Sequence, residues 1–179
     1  MIKAFSIRPK PQNNNAKITF AVLLSVSAVC FAVSYFMELY KGIVSTVGLF
    51  VLVTAVLIYT KFISPAFYYD ICFDSEQTPI FVVRQLIGKR FTTLCRVDLA
   101  DIKKIEGEDR EGMKSHATPS GYKKYVYAPT LRPSFVYRLT VINKYEKAEI
   151  ILELSEDHAS LLSEYSEEAK ALRIEDDEE

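Results

Sequence analysis

Seven side chains in this sequence stand out as candidates for catalysis or metal ligation: His116 and His158, Cys30, Cys72 and Cys95, and the spaced pair Asp98 and Asp101. An imidazole can shuttle protons or bind zinc, a thiolate can attack or ligate, and paired carboxylates can divide acid and base roles. The spacing supports none of these. His116 stands in the polar segment EDREGMKSHATPS (108–120) and His158 in the first turn of a helix, and both read as solvated. Cys72 and Cys95 fall on separate strands with no C-x-x-C pairing, and Cys30 lies inside an apolar run. Asp98 and Asp101 close a strand, where turn-making and backbone capping account for them. Gly88 stands alone, without G-x-x-x-x-G-K-[ST] or G-x-G-x-x-G, so nucleotide-phosphate cradles are missing from the sequence. The expectation is no catalytic residue, no metal ligand, no cofactor and no enzymatic activity.

Binding chemistry is the alternative. Lys89 and Arg90 follow Gly88 on a turn, and Lys123 and Lys124 stand between Tyr122 and Tyr125. Bases attract an anionic leaflet and tyrosine suits its interface, so these six residues are the expected membrane-surface or partner contact. Residues 65–152 carry 14 basic and 11 acidic side chains, residues 153–179 carry 2 and 11. With a whole-chain net charge of -1, nucleic acid is not an expected partner.

These residues need elements to position them, and the chain divides sharply. Ile18 to Met37 and Gly42 to Thr60 contain no charged side chain. Each run is long enough to cross a hydrocarbon core of about 30 Å as a helix. Glu38-Leu39-Tyr40-Lys41 alone separates them, so they form an antiparallel hairpin at 18–63. Lys3, Arg8, Lys10 and Lys17 precede the first run and Lys61 closes the second, which places both termini on the cytoplasmic side of a multi-pass cell-membrane protein. The first run exceeds a signal-peptide core and lacks an A-x-A-like site, so cleavage is not expected. Ala21, Ser25, Ala28 and Ala32 make a narrow stripe of small residues, a packing seam for the second span or for another membrane protein. No acidic, basic or histidine side chain lies within either span, which argues against a self-contained transporter.

Beyond Pro65 the pattern becomes short β-branched and aromatic runs. Strands are expected at 67–73, 80–87, 90–97, 102–107, 122–127, 135–142 and 148–154. A two-residue Gly88-Lys89 turn sets the second hairpin, with Leu86 opposite Phe91, Val82 opposite Cys95 and Ile80 opposite Val97. Arg84, opposite Thr93, interrupts the apolar face. Ser155 caps an amphipathic helix whose face is Leu161, Leu162, Tyr165, Ala169 and Leu172, and residues 175–179 form an acidic tail.

Strands followed by one helix, with Gly88-Lys89-Arg90 in the turn and Asp98-Leu99-Ala100-Asp101-Ile102 after the next strand, resemble bacterial pleckstrin-homology-like (PH-like) domains found beside membrane spans. The resemblance implies a bent antiparallel β-barrel plugged by its C-terminal helix over 65–174, behind a basic leader at 1–17. It implies fold and location more than activity. The loop before Tyr122 and the Pro-punctuated segment 128–133 depart from the simplest pattern, so no binding surface carries over there. The whole chain is expected to be an α+β membrane protein, a non-enzymatic binding or assembly module on the cytoplasmic face. The alternative is an accessory subunit of a transport or export complex, docked through the hairpin.

Overall fold

The computed structural model describes residues 2–74 and 78–178. The chain forms two compact units, one of Pro11–Pro65 with Thr130–Arg132, the other of Met1–Lys10, Ala66–Pro129 and Pro133–Glu179.

In the first unit, α1 (Asn15–Phe36) and α2 (Lys41–Ile58) pack as an antiparallel hairpin, and a π-helical turn at Tyr59–Ile63 ends α2. Ala16, Phe20, Leu23, Ser27, Cys30 and Ser34 of α1 are buried or half-buried, recurring at intervals of four and three. That is the 3.5-residue seam of helices crossing at a shallow angle. Gly48 and Ala55 answer from α2. Gly48 makes the approach close: a β-carbon there would stand 3.1 Å from Cys30 Cβ. The Ser27 hydroxyl donates across the seam to the Gly48 carbonyl at 2.9 Å. The expected stripe lies elsewhere, since Ala21, Ser25, Ala28 and Ala32 are all exposed on the hairpin's outer surface. Its four members share a helical face, but they are offset from the heptad that meets α2.

The second unit holds eight strands among the described residues. The first sheet has the order β1-β2-β3-β4, with β1 at Ile2–Ile7, β2 at Ala66–Phe73, β3 at Pro79–Ile87 and β4 at Arg90–Asp98, all antiparallel. Thus the segment read as a basic leader contributes a strand, and the helical hairpin is inserted between β1 and β2. The Gly88 backbone takes φ +61° in the β3–β4 turn, a left-handed conformation that glycine adopts without steric cost. Leu86 does face Phe91 and Arg84 does face Thr93, but a bulge then shifts the ladder by one. Val83, rather than Val82, lies opposite Cys95, and Phe81, rather than Ile80, opposite Val97. The bulge absorbs Leu94, and one residue of slip exchanges the two faces. Phe81 and Val83 therefore join the main core, while Ile80 and Val82 meet Cys72 in a small second cluster.

The second sheet has the order β5-β7-β8-β6, from Ile102–Asp109, Phe135–Ile142, Lys147–Leu152 and Lys123–Val126 respectively. The four-residue β6 runs parallel to β8, so the β-structure is not wholly antiparallel as expected. The chain skips β8 on its way from β6 to β7. A short helix α3 (Arg110–Ser115) occupies the segment read as an open loop. Asp109 caps it, its Oδ1 accepting from the Gly112 N–H at 2.7 Å. The last helix α4 (Glu156–Glu178) carries the expected acidic tail as helix up to Glu178. One core joins both sheets and α4: Tyr69, Ile71, Phe81 and Val83 from the first sheet, Leu139, Ile150 and Leu152 from the second, Leu162 and Ala169 from α4. Each of the Val, Leu, Ile and Phe side chains contributes about 1.5–3 kcal/mol by leaving water.

Candidate functional site

The residues of strongest chemical character meet on the outer face of the second sheet. Arg138 sits mid-strand on β7, opposite Glu106 of β5 and Ile151 of β8. Glu108 and Glu149 lie two residues along those strands, hence on the same face. The guanidinium, only 1% exposed, donates from Nε and Nη2 to the two oxygens of Glu108 at 2.9 and 2.7 Å. Its Nη1 donates to Glu149 Oε2 at 2.7 Å. The segment after α3 folds over this pair: Thr118 Oγ1 donates to Glu149 Oε2 at 2.8 Å. His116 is not the solvated side chain expected. It is half-buried, with Nδ1 3.2 Å from Glu108 Oε1 and Nε2 3.1 Å from Glu149 Oε1.

The network determines its own protonation. Hydrogen bonding from Arg138, outweighing the opposing effect of burial, holds the Glu108 carboxyl below its ordinary value. For Glu149, burial pushes upward, but hydrogen bonds from Thr118 and His116 and the Arg138 charge prevail and lower it. Both carboxylates stay ionised, and the Arg138 cation, largely desolvated, is raised by them. The bidentate pair ties β7 to β5, and His116 and Thr118 fasten the segment after α3 to its carboxylates. No group of three or more His, Cys, Asp or Glu among the described residues is placed to hold a metal ion. The sequence did carry a signal: an arginine within FVYRLTVI and a glutamate within KAEIIL interrupt apolar strands at outward positions, which requires a partner.

A second cluster stands on the first sheet. Arg84, the interruption in the expected apolar face, reaches across to the fully buried Asp70 as an ion pair, and its guanidinium carbon lies 5.1 Å from the Phe91 ring centroid. Tyr68 meets Phe91 edge-on at 5.4 Å, and Arg8 stands 5.8 Å from the Tyr68 centroid. Phe91 is exposed, as are Lys89 in the turn and the paired Ile87 and Arg90, whose side chains alternate to the other face of the sheet.

The two halves of the expected contact surface separate. Lys89 and Arg90 occupy the β3–β4 turn, whereas Tyr125 borders a cavity of about 260 Å³ with Tyr127 and Leu94–Val97 of β4. Lys123 Nζ lies 3.4 Å from Glu146, the Tyr125 hydroxyl donates to the same carboxylate at 2.9 Å, and Lys147 stands over the Tyr122 ring. In that cavity, burial pushes the Cys95 thiol up to about 11, so it stays protonated and a poor nucleophile. The remaining candidates are structural. Asp98 Oδ1 accepts from the Ala100 N–H at 3.0 Å, Asp101 pairs with Arg173 at 2.8 Å, and His158 Nδ1 lies 2.6 Å from the capping Ser155 hydroxyl.

These features define an α+β protein with two apolar helices inserted near the N-terminus, two four-stranded sheets and a C-terminal helix. No protein-family model matches the chain, and no curated protein matches it in sequence.

Proposed function

We propose that the chain is a membrane-anchored, non-enzymatic binding module whose PH-like β unit stands at the cytoplasmic face of the cell membrane. One observation carries the reading: the large apolar side chains of the hairpin face outward, and its few buried positions are small residues. Val22, Val29, Phe31, Ile43, Phe50 and Leu57 are exposed, while Ser27 and Ser34 are buried. Only 11% of each candidate span is covered, against the extensive burial of a core helix in a water-soluble fold. Outer hydroxyls turn back on their own helices, Ser25 to the Ala21 carbonyl, Thr46 to Gly42 and Thr54 to Phe50, as they must where water is absent. The cytoplasmic orientation follows from the bases flanking the hairpin. Two sheets sharing a core with a terminal helix support the PH-like reading. A non-enzymatic role is supported by the self-satisfied network around Arg138.

The test combines alkaline extraction with accessibility of tags at both ends of the full chain in sealed inside-out and right-side-out vesicles. Retention in the membrane, with both tags protease-sensitive only in inside-out vesicles, is the expected result. Release at alkaline pH, or tags on opposite sides, overturns it. A second reading, docking against another membrane protein, draws on the exposure of Ala21, Ser25, Ala28 and Ala32 and would show as an integral partner retained in mild detergent.

A further inference from the structure

We propose that the end of the first sheet bearing the β3–β4 turn is a bilayer-contact surface, and that its ligand is the anionic headgroup layer of the membrane holding the hairpin. The inference rests on the spanning role of that hairpin and names what the β unit binds.

Chain continuity selects this end. The polypeptide leaves the β unit after β1, whose last residue Ile7 pairs with Tyr69, and returns at Ala66, so both crossings occur at one end of neighbouring strands. Ala66 in turn pairs with Leu86, just before the turn. Only Ser64 and Pro65 separate the hairpin's last helical residue, Ile63, from Ala66. Lys89 follows Leu86 by three residues, at the same end of the sheet.

The surface chemistry fits a headgroup layer. Ile87 and Phe91 are 49% and 54% exposed, apolar area that water does not favour. Tyr68 completes the aromatic centre beside Phe91, Arg8 stands over it, and Lys89 and Arg90 add positive charge in the turn at the same end of the sheet. Aromatic rings settle at the interface and bases beside anionic lipid. The carboxylate beneath, Asp70, is buried against Arg84 and does not offset the outer bases. The Tyr122–Tyr125 segment is the weaker candidate, because Glu146 engages both Lys123 and Tyr125 and because the segment lies beside Leu94–Val97, further along β4 from the turn.

The chain has no tryptophan, so a single introduced indole reports its own surroundings. The full chain carrying Phe91→Trp is reconstituted into phosphatidylcholine vesicles with or without phosphatidylglycerol, each also prepared with brominated lipid as a contact quencher. The indole of the Phe91→Trp chain should shift its emission to the blue and be quenched in the anionic vesicles, and salt should reverse both. Tyr145→Trp, at a site 95% exposed on the β7–β8 turn, should remain unquenched. Lys89→Ala and Arg90→Ala, each added to Phe91→Trp, should lower the docked-to-undocked ratio about fivefold. Phe50→Trp, on the outer face of α2, keeps the two readings apart, since it is quenched in every vesicle if the hairpin spans. Quenching of Phe50→Trp without quenching of Phe91→Trp overturns the contact surface and leaves anchoring intact, directing attention to a protein partner. An unquenched Phe50→Trp chain overturns the anchoring reading itself.

Discussion

Replacing Arg138 by leucine tests whether the network over the second sheet is a closed electrostatic unit. The guanidinium makes three charge-assisted hydrogen bonds of 2.7–2.9 Å while almost fully buried. At about 1.5–3 kcal/mol each they would sum to more than the whole effect, because removing one partner of a shared network is not additive. The governing cost is Glu149, 2% exposed, and Glu108 left without their cation. Breaking a buried pair this way costs about 3–5 kcal/mol, a large part of a domain's usual 5–15 or so. The assay is urea unfolding of the full chain in detergent, followed by near-ultraviolet circular dichroism of its 11 tyrosines. Lys104→Ala is the control, since its pair with Glu106 is exposed and should contribute under about 1 kcal/mol. Adding Glu108→Gln and Glu149→Gln to Arg138→Leu should recover much of the loss, because no charge is then stranded. A cost for Arg138→Leu as small as that of Lys104→Ala would refute the account.

Acid should unfasten the same network. Glu108 and Glu149 are depressed below 4.5 in the folded chain, so their stabilisation is complete above that unfolded value and is lost as pH falls through the lower folded ones. The urea midpoint should fall on acidification below about pH 4.5, and the Glu108→Gln/Glu149→Gln variant should show a flatter profile; equal slopes would count against the pairing. In the hairpin, Gly48→Leu drives a branched side chain into space where a β-carbon alone would meet Cys30 at 3.1 Å. The full chain should lose the compact gel mobility of a paired hairpin, while Phe50→Leu on the outer face should keep it.

Much of this architecture was legible in one sequence because its elements have local causes. Two charge-free runs divided by four residues can scarcely be anything but a helical hairpin, and Gly88 announces its turn. What escaped has non-local causes. β1 is six residues whose partner strand follows a whole helical hairpin, so nothing beside it in sequence marks it as sheet. The bulge at Leu94 reverses face assignments that alternation alone cannot detect. His116 looked solvated because EDREGMKSHATPS is polar, yet the polarity of that segment matches Arg138 and Glu149, which themselves sit in apolar strands. The stripe on α1 was legible as a pattern, but packing against α2 follows the heptad through Ser27 and Cys30 instead.

The insertion of the hairpin between β1 and β2 also orders events during synthesis. β1 leaves the ribosome about sixty residues before β2, an interval of roughly 3–12 s at ordinary elongation rates. Throughout it, a lone strand must wait while the two helices are made, and only the chain beyond them brings its partner within reach. The first sheet therefore closes late: until β2 pairs with β1, its outer edge stays open, and the helical hairpin must fold as an excursion that returns the chain to the strand it left.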